Sequence, residues 1–132
     1  MKGDLEFVIR INPVPASRPR VSKWGVYYSK TYRFFREEAP EAIAEAIIES
    51  GVGSSTLPLT GYLECEFVFN VKRPKKTKLK YPHADVDNLL KGAQDSMEGL
   101  IFENDKQIIV VKGRKQWSDI PSIKVTIRTL SS

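Results

Sequence analysis

Two aspartates separated by one residue, with a lysine four positions after the second, form the part of this sequence best suited to chemistry. Asp85 and Asp87 can aim their carboxylates at one point if the backbone there is extended. Asp87, Lys91 and Asp95 are spaced i, i+4 and i+8, so on a helix they would share one face. Asp105 lies in a further acidic patch, just before a predicted strand.

This set of side chains matches what a divalent metal needs when it acts on a phosphodiester. Mg²⁺ prefers oxygen ligands and keeps several waters, so one or two carboxylates and a substrate phosphate complete its site. Such a metal can activate water and neutralise charge during in-line attack. A nearby lysine, here Lys91, could stabilise the phosphate or position the water. Asp85, Asp87 and Asp105 are therefore candidate metal ligands.

The same residues also fit less specific roles. Asp87 could be a helix N-cap, and Asp87 and Lys91 could form an exposed ion pair of little energetic weight. A lone D-x-D pair also holds the metal of a nucleotide sugar in glycosyltransferases. An EF-hand is excluded, because its loop positions for glycine and glutamate are Leu90 and Ser96.

Two basic segments indicate a surface that binds phosphate groups. Residues 1–36 hold eight Lys/Arg and two acids, and residues 67–84 hold six Lys/Arg and no acid. Residues 37–66, by contrast, hold seven acids and no Lys/Arg. Clustering of this kind is required for binding a nucleic-acid backbone, although it also fits a charge-segregated, solvated surface. The candidate DNA-binding residues are Arg18, Arg20, Lys23, Lys72, Arg73, Lys75, Lys76, Lys78 and Lys80.

Aromatic residues accompany the first basic segment. Trp24, Tyr27 or Tyr28 could stack on an unpaired base, but the two tyrosines are more often core anchors. His83 precedes the aspartates and is more often incidental than a ligand. Cys65 alternates with apolar residues and is predicted to be buried and inert.

The composition predicts a single globular domain over residues 1–132. Of these residues 41% are hydrophobic and 28% are charged, which is typical of a folded domain. The net charge of +5 favours polyanionic partners. No apolar run approaches the roughly 20 residues of a membrane span, and the N-terminus lacks the apolar region of a signal peptide. With one cysteine the chain forms no internal disulfide, so we expect a cytoplasmic protein. We also expect no membrane partner and no small-molecule cofactor.

Hydrophobic periodicity predicts the elements that position these residues. Alternation predicts strands over Leu5–Asn12, Tyr62–Val71 and Ser122–Leu130. A continuous β-branched run predicts a further strand, Gln107–Lys112, covered on both faces.

Two helices are predicted between these strands. The first spans Thr31–Glu49, where Pro40 should kink it or divide it in two, and the second spans Asp87–Met97. Pro13–Tyr28 and Arg73–Pro82 are predicted as loops, the former long and irregular. The order β-α-β-α-β-β predicts an α/β (α+β) fold, a small mixed sheet covered by helices.

The whole chain resembles the RusA-type Holliday junction resolvases, the crossover junction endodeoxyribonucleases of bacteria and their phages. The resemblance lies in Pro15–Tyr32 (PASRPRVSKWGVYYSKTY), Asp85–Gly99 (DVDNLLKGAQDSMEG) and Phe102–Ile108 (FENDKQI). These blocks have the order and spacing of that family. The D-x-D-N-L-x-K block followed by D-x-Q-[IV] is far more specific than a D-x-D pair.

The resemblance implies an activity and a set of site residues. The residues essential for cleavage would be Asp85, Asp87, Lys91 and Asp105. The family acts as a homodimer, needs Mg²⁺, and cuts opposing strands of a four-way junction near symmetric positions. Many members carry two adjacent acids where this chain has Asn104–Asp105. Asn104 offers an oxygen without charge, and Glu103 could compensate.

The sequence therefore predicts an intertwined homodimeric endonuclease that resolves branched DNA. Asp85, Asp87 and Asp105 would hold one or two Mg²⁺ ions, or Mn²⁺ in their place, around the scissile phosphate. The alternative from a different class is a protein that binds branched or single-stranded DNA without cutting it. A third hypothesis is a metal-dependent nuclease of broader structure preference, which acts on flaps or forks.

Overall fold

The chain forms a mixed four-stranded sheet with two α-helices, in a computed structural model that describes residues 4–130 apart from the side chains of residues 4, 20, 26, 27 and 54. The elements in this range are β1 (Asp4–Ile9), β2 (Arg20–Ser22), β3 (Gly25–Tyr27), α1 (Lys30–Ser50), β4 (Leu63–Lys72), α2 (Val86–Met97), β5 (Ile108–Ser118) and β6 (Ser122–Thr129). The predicted α+β class and the predicted mixed sheet are confirmed.

The main sheet places its strands in the order β1-β6-β4-β5. β6 pairs antiparallel with both β1 and β4, whereas β4 pairs parallel with β5. Parallel neighbours need a long crossover connection, and here that connection contains α2. The crossover therefore carries all four candidate catalytic residues predicted from the sequence.

The core lies between one face of the sheet and the helices. Alternation along the strands sends every second side chain inward, and these residues are Leu5, Phe7, Ile9, Leu63, Cys65, Phe67, Phe69, Ile123, Val125 and Ile127. α1 buries a stripe of helical periodicity against them, made of Tyr32, Phe35, Ala39, Ile43, Ala46 and Ile47. In the strands predicted from alternation, the alternating apolar residues are therefore the ones that face the core, as predicted.

α1 is a single helix that continues through Pro40. The alternative in which this proline divides the helix is wrong, because the buried stripe continues on both sides of it, from Phe35 to Ile43. The Ser29 side chain caps the N-terminus, and Gly51 ends the helix with φ of +79°. No helix within residues 4–130 is long and apolar enough to cross a membrane.

The sequence predicted an irregular loop over Pro13–Tyr28. This prediction is wrong in part, because β2 and β3 form a short antiparallel hairpin within the segment. Gly25 has φ of +123°, a conformation that side-chain-bearing residues rarely adopt. The Ser22 hydroxyl accepts a hydrogen bond from the backbone N–H of Trp24 and so closes the turn. The prolines of this segment indicated an irregular loop, and the local hydrogen bonds that form the hairpin were not apparent from the sequence.

The prediction that the strand at Gln107–Lys112 is covered on both faces is wrong. β5 is longer than predicted and lies at the edge of the sheet, with β4 as its only strand neighbour in residues 4–130. Ile109, Val110 and Val111 are 58%, 37% and 42% exposed. The β-branched run predicted a strand correctly. It could not indicate whether other elements of the same chain pack against both faces of that strand.

Candidate active site

The D-x-D pair lies where the crossover chain enters α2. Asp85 is the N-cap residue, with an extended backbone, and its carbonyl accepts hydrogen bonds from the N–H groups of Asn88 and Leu89. Its side chain makes no capping bond. Asp87 lies in the first turn, where the partial positive charge of the helix N-terminus stabilises an anion. The alternative that Asp87 is the N-cap residue is thus wrong.

Asp87 and Asp105 line one open cavity of about 320 Å³, which we call the carboxylate cavity. Lys91 and Asp95 line it as well, one and two turns along α2 from Asp87. The Lys91 ammonium lies 3.4 Å from an Asp95 carboxylate oxygen. Its side chain is 67% exposed, so the lysine can reach toward a ligand in the cavity. Three carboxylates and one amine of the predicted type therefore share this space.

Asp85 lies outside the carboxylate cavity. It lines a neighbouring cavity of about 360 Å³ together with His83 and Asn88. Within residues 4–130, no three histidine, cysteine, aspartate or glutamate side chains approach closely enough to form a complete metal-binding group. The structure thus brings Asp87 and Asp105 to one cavity and places Asp85 on the next.

This donor set fits a hard divalent cation of the Mg²⁺ type. Such an ion is held by one or two protein carboxylates, with water and substrate phosphate completing its coordination. Asp87 and Asp105 supply two carboxylates from different elements to one solvent-open space. Among the described residues no cysteine or histidine lines that cavity, which disfavours a softer metal.

Gln107 holds the loop that carries Asp105. Its side-chain oxygen accepts hydrogen bonds of 2.9 Å from the backbone N–H groups of Glu103 and Asn104. Its side-chain nitrogen donates to the carbonyls of Leu59 and Gly61 at 3.0 and 2.9 Å. The amide therefore uses two donor and two acceptor interactions to fix this turn against the segment before β4.

Two further bonds fix the same turn. The Asn104 side chain accepts from the N–H of Lys106 and caps the short 3₁₀ turn Asp105–Gln107. The Glu98 carboxylate, at the end of α2, accepts from the N–H of Asp105 at 2.9 Å. Asn104 thus has a structural role here. Sequence reasoning did not assign roles to Glu98 or Gln107, although Gln107 belongs to the D-x-Q motif.

β5 positions the start of α2 from the other side. The Lys115 ammonium donates to the carbonyl of Ala84 at 2.8 Å and so holds the backbone directly before Asp85. A Cβ at Gly113 would lie 2.9–3.0 Å from Leu90, so the glycine permits a close approach of α2 to the strand. Neither residue carried a signal in the sequence, since their partners lie far away along the chain.

A second cavity, which we call the tyrosine cavity, shares Lys91 and Asp95 with the carboxylate cavity. It has a volume of about 380 Å³ and is more enclosed than the carboxylate cavity. Its remaining walls include Arg18, Tyr28, Tyr32 and Asn88. Burial, and to a smaller extent the nearby Asp95 carboxylate, raises the pKa of Tyr32, so its hydroxyl keeps its proton.

The predicted DNA-binding residues are largely exposed. In the β4–α2 connection Arg73, Lys75, Lys76, Lys78 and Lys80 are exposed and accessible to phosphates. Lys72 is also exposed, but its ammonium already donates a hydrogen bond to the carbonyl of Asp119 at 2.7 Å. Arg18 and Lys23 are exposed, and Lys23 lies 5.2 Å from the ring centroid of the exposed Trp24. The side chain of Arg20 lies outside the described part of the structure.

Cys65 is not part of the site. It is fully buried in β4, and burial raises the pKa of its thiol to about 12. A thiol that stays protonated is a poor nucleophile and a poor metal ligand. The prediction that this cysteine is buried is confirmed.

Comparison with known proteins identifies a family for this chain and a relative of part of it. A family model described as "Endodeoxyribonuclease RusA" matches residues 10–128, which includes both cavities and all four candidate catalytic residues. The uncharacterized protein YqaN of Bacillus subtilis (strain 168) is 40% identical over 48 residues, or 36% of this chain. That match spans 34% of YqaN, about a third of its length. The match of the family model over nearly the full length shows that the chain belongs to the RusA endodeoxyribonuclease family.

Proposed function

We propose that this protein is a Mg²⁺-dependent, structure-selective endodeoxyribonuclease that resolves Holliday junctions by paired, symmetric strand cleavage. The observation that carries the proposal is the carboxylate cavity, in which Asp87, Asp105 and Lys91 meet in a chain of the RusA family. The proposed setting is DNA recombination and repair in the cytoplasm of a bacterium or of a phage-infected cell.

Asp87 and Asp105 are the proposed ligands for the metal, and Asp85 is a third, from the neighbouring cavity. When bound, Mg²⁺ would neutralise phosphate charge and lower the pKa of a bound water. Mn²⁺ would serve in its place, since it too suits carboxylate and water ligands.

Lys91 has the role of a cation directed at the scissile phosphate. In the free protein its ammonium lies beside Asp95, which holds it at the wall of the carboxylate cavity. A phosphate oxygen entering the cavity would accept a hydrogen bond from this ammonium. Such preorganised donors stabilise charge that develops in the transition state, and the removal of one typically costs about 10²–10³ in rate.

The exposed basic residues would hold the arms of the junction. The exposed cations of the β4–α2 connection directly precede the D-x-D pair in the chain. Contacts from lysine and arginine to phosphate position a substrate without reading its sequence. The connection thus ties backbone binding to the cleavage site, and the exposed Arg18 and Lys23 extend the basic surface on the first segment.

A homodimer would supply two equivalent sites for two equivalent strands. A four-way junction has near two-fold symmetry, and two-fold dimers are the commonest closed assembly. The exposed β-branched residues Ile109, Val110 and Val111 lie on an edge strand, a position that single chains normally protect. Pairing of two β5 edges would continue the sheet across a two-fold axis. Analytical ultracentrifugation tests this: we expect a dimer for the wild-type protein and a monomer for Val110→Lys. If both proteins sediment as monomers, the proposed pairing is contradicted.

The decisive test is cleavage of an end-labelled four-way junction beside linear duplexes of the same arm sequences, in Mg²⁺ or EDTA. We expect paired nicks on the junction alone, which disappear in EDTA and in Asp87→Asn. Asp119→Asn is the matched control, since Asp119 is exposed in the β5–β6 turn and outside both cavities. Tight junction binding without cleavage in any divalent metal would contradict the nuclease and leave a DNA-binding protein. Equal cutting of flaps and forks would replace the resolvase by a nuclease of broader preference.

A further inference from the structure

The tyrosine cavity lies beside the proposed site of hydrolysis, holds none of the proposed metal ligands, and has the form of a binding site. Its volume of about 380 Å³ falls within the range of small-molecule sites, about 300–1,000 Å³. Three separate segments build its walls: the loop before β2 with Arg18, the start of α1 with Tyr32, and α2 with Asn88.

The tyrosine and carboxylate cavities meet at α2. Lys91 and Asp95 line both, so the two cavities share one ion pair in their walls. A nucleotide whose phosphate is held beside Lys91 in the carboxylate cavity would have its sugar and base within reach of the tyrosine cavity. The second cavity is thus adjacent to the proposed reaction centre but separate from the metal ligands.

An aromatic wall suits this cavity to a planar ligand. The rings of Tyr28 and Tyr32 are 5.3 Å apart in an edge-to-face arrangement. The Arg36 guanidinium lies 5.2 Å from the Tyr28 ring centroid and makes a cation–π contact with it. Tyr28 is nevertheless only half-buried, so part of its ring stays accessible in the cavity. A ring fixed in this way can stack on a base with little loss of side-chain entropy.

Polar groups at the rim could bind the edge of that ligand. The Asn88 side chain is exposed, while its backbone carbonyl accepts a hydrogen bond from Ala16 and fixes the loop to α2. An asparagine amide and the Arg18 guanidinium offer the donors and the acceptor that a base edge requires. A close approach of loop and helix is permitted by Gly92, where a Cβ would lie 3.0 Å from the carbonyl of Val14.

We propose that the tyrosine cavity receives one unstacked nucleobase of the strand that is cut, next to the scissile phosphate. This inference rests on the proposed nuclease function. Extruding a base costs least where the duplex is already disrupted, as it is at a branch point. The cavity would therefore favour branch points through the base itself, in addition to the contacts that the basic residues make with phosphates.

The test is an abasic scan of the junction, made in an Asp87→Asn background so that the DNA stays intact. A single abasic residue is placed in turn at each nucleotide flanking the exchange point, and Kd is measured by fluorescence anisotropy. The same scan is run with Tyr28→Leu added, and with Asn88→Ala added as a second variant that leaves the aromatic wall in place. Tyr62→Leu is the matched control, since Tyr62 is exposed and lies outside the cavity. Thermal unfolding checks that each variant is folded.

We expect one position at which loss of the base weakens binding roughly 5- to 150-fold, the range that stacking on an aromatic side chain provides. At that position the penalty should shrink several-fold in Tyr28→Leu and in Asn88→Ala but persist in Tyr62→Leu. Equal penalties in all four proteins, or no position that stands out, would overturn the inference while leaving junction cleavage intact. Failure to bind the junction more tightly than linear duplex would instead refute the proposed function, and this inference with it.

Discussion

The Glu98 carboxylate accepts a 2.9 Å hydrogen bond from the backbone N–H of Asp105. Because Glu98 is the residue at which α2 ends, this bond joins the helix that carries Asp87 to the turn that carries Asp105. Glu98 is not among the residues that line the carboxylate cavity. The relative placement of two proposed metal ligands thus depends on a third carboxylate that acts through the backbone.

Replacing Glu98 should impair cleavage without removing DNA binding. Hydrogen bonds to charged groups contribute about 1.5–3 kcal/mol, so we expect Glu98→Ala to lower the cleavage rate about tenfold and to raise the Mg²⁺ concentration at half-maximal rate. Glu98→Gln keeps an acceptor oxygen and should recover most of the activity. Junction affinity in EDTA should stay unchanged in both variants. Wild-type Mg²⁺ dependence in Glu98→Ala would show that the bond does not position Asp105.

Gln107→Glu should destabilise the protein and impair cleavage together. The substitution keeps the acceptor but replaces the amide nitrogen by an oxygen that faces the carbonyls of Leu59 and Gly61. A partly buried group that loses its partner costs about 1–3 kcal/mol, which we expect as the fall in the free energy of unfolding by urea. Lys106→Gln, at the exposed neighbouring position, is the control. Unchanged stability in Gln107→Glu would mean that the turn is held by other interactions.

Lys91→Gln should separate catalysis from binding. We expect the single-turnover cleavage rate to fall about 10²–10³-fold, because a cation directed at the scissile phosphate is removed. Junction Kd in EDTA should change far less, since many other cations contact the backbone. Lys124→Gln provides the comparison, since Lys124 is exposed on β6 and outside both cavities. A matching loss of binding and rate in Lys91→Gln would make this lysine a binding residue only.

The β4–α2 connection should set the salt dependence of binding. In a double variant, Lys75→Gln with Lys76→Gln, the slope of log K against log salt should decrease by about 0.9 for each phosphate that the protein no longer neutralises. The variant Lys124→Gln, at an exposed position of β6, should leave the slope near the wild-type value. A wild-type slope in the Lys75 and Lys76 double variant would remove the connection from the DNA-binding surface.

Cys65 should make stability fall at alkaline pH. The thiol ionises near 9 when exposed, and burial raises its pKa to about 12 in the folded chain. Above pH 9 the unfolded state therefore binds fewer protons, and the contribution of this group is lost as pH rises toward 12. Cys65→Ala should show a shallower decline in urea unfolding between pH 8 and 10, and identical slopes would exclude the thiol. The native thiol should also resist Ellman's reagent until the protein unfolds.

Sequence periodicity predicted the strands because burial on one face imposes alternation. Phe67 and Phe69 show this, since both point to the core as their spacing required. The same logic failed at Val110 and Val111, where a β-branched run marks an edge strand. Edge position depends on the order of strands in the sheet, which no local pattern contains. The hairpin at Gly25 was missed because the prolines before it dominate the local composition.

The site was predictable in its residue types but not in its arrangement. Asp87, Lys91 and Asp105 were recognisable from spacing and resemblance, and one cavity brings them together. That Asp85 faces a different cavity follows from its role as N-cap, which depends on where the helix begins. Two of the four hydrogen bonds of Gln107 reach carbonyls more than 40 positions away along the chain, which no local pattern indicates.

The parallel pairing of β4 with β5 has a consequence for how the site assembles during folding. Both proposed metal ligands of the carboxylate cavity lie in the connection between these strands, which must close before β5 can pair. Non-local, parallel pairing forms slowly, because the entropy of loop closure is lost before contacts compensate for it. We therefore expect catalytic competence to appear with the last slow phase of refolding. A chain that ends before β5 would carry both ligands and have no cavity for them to face.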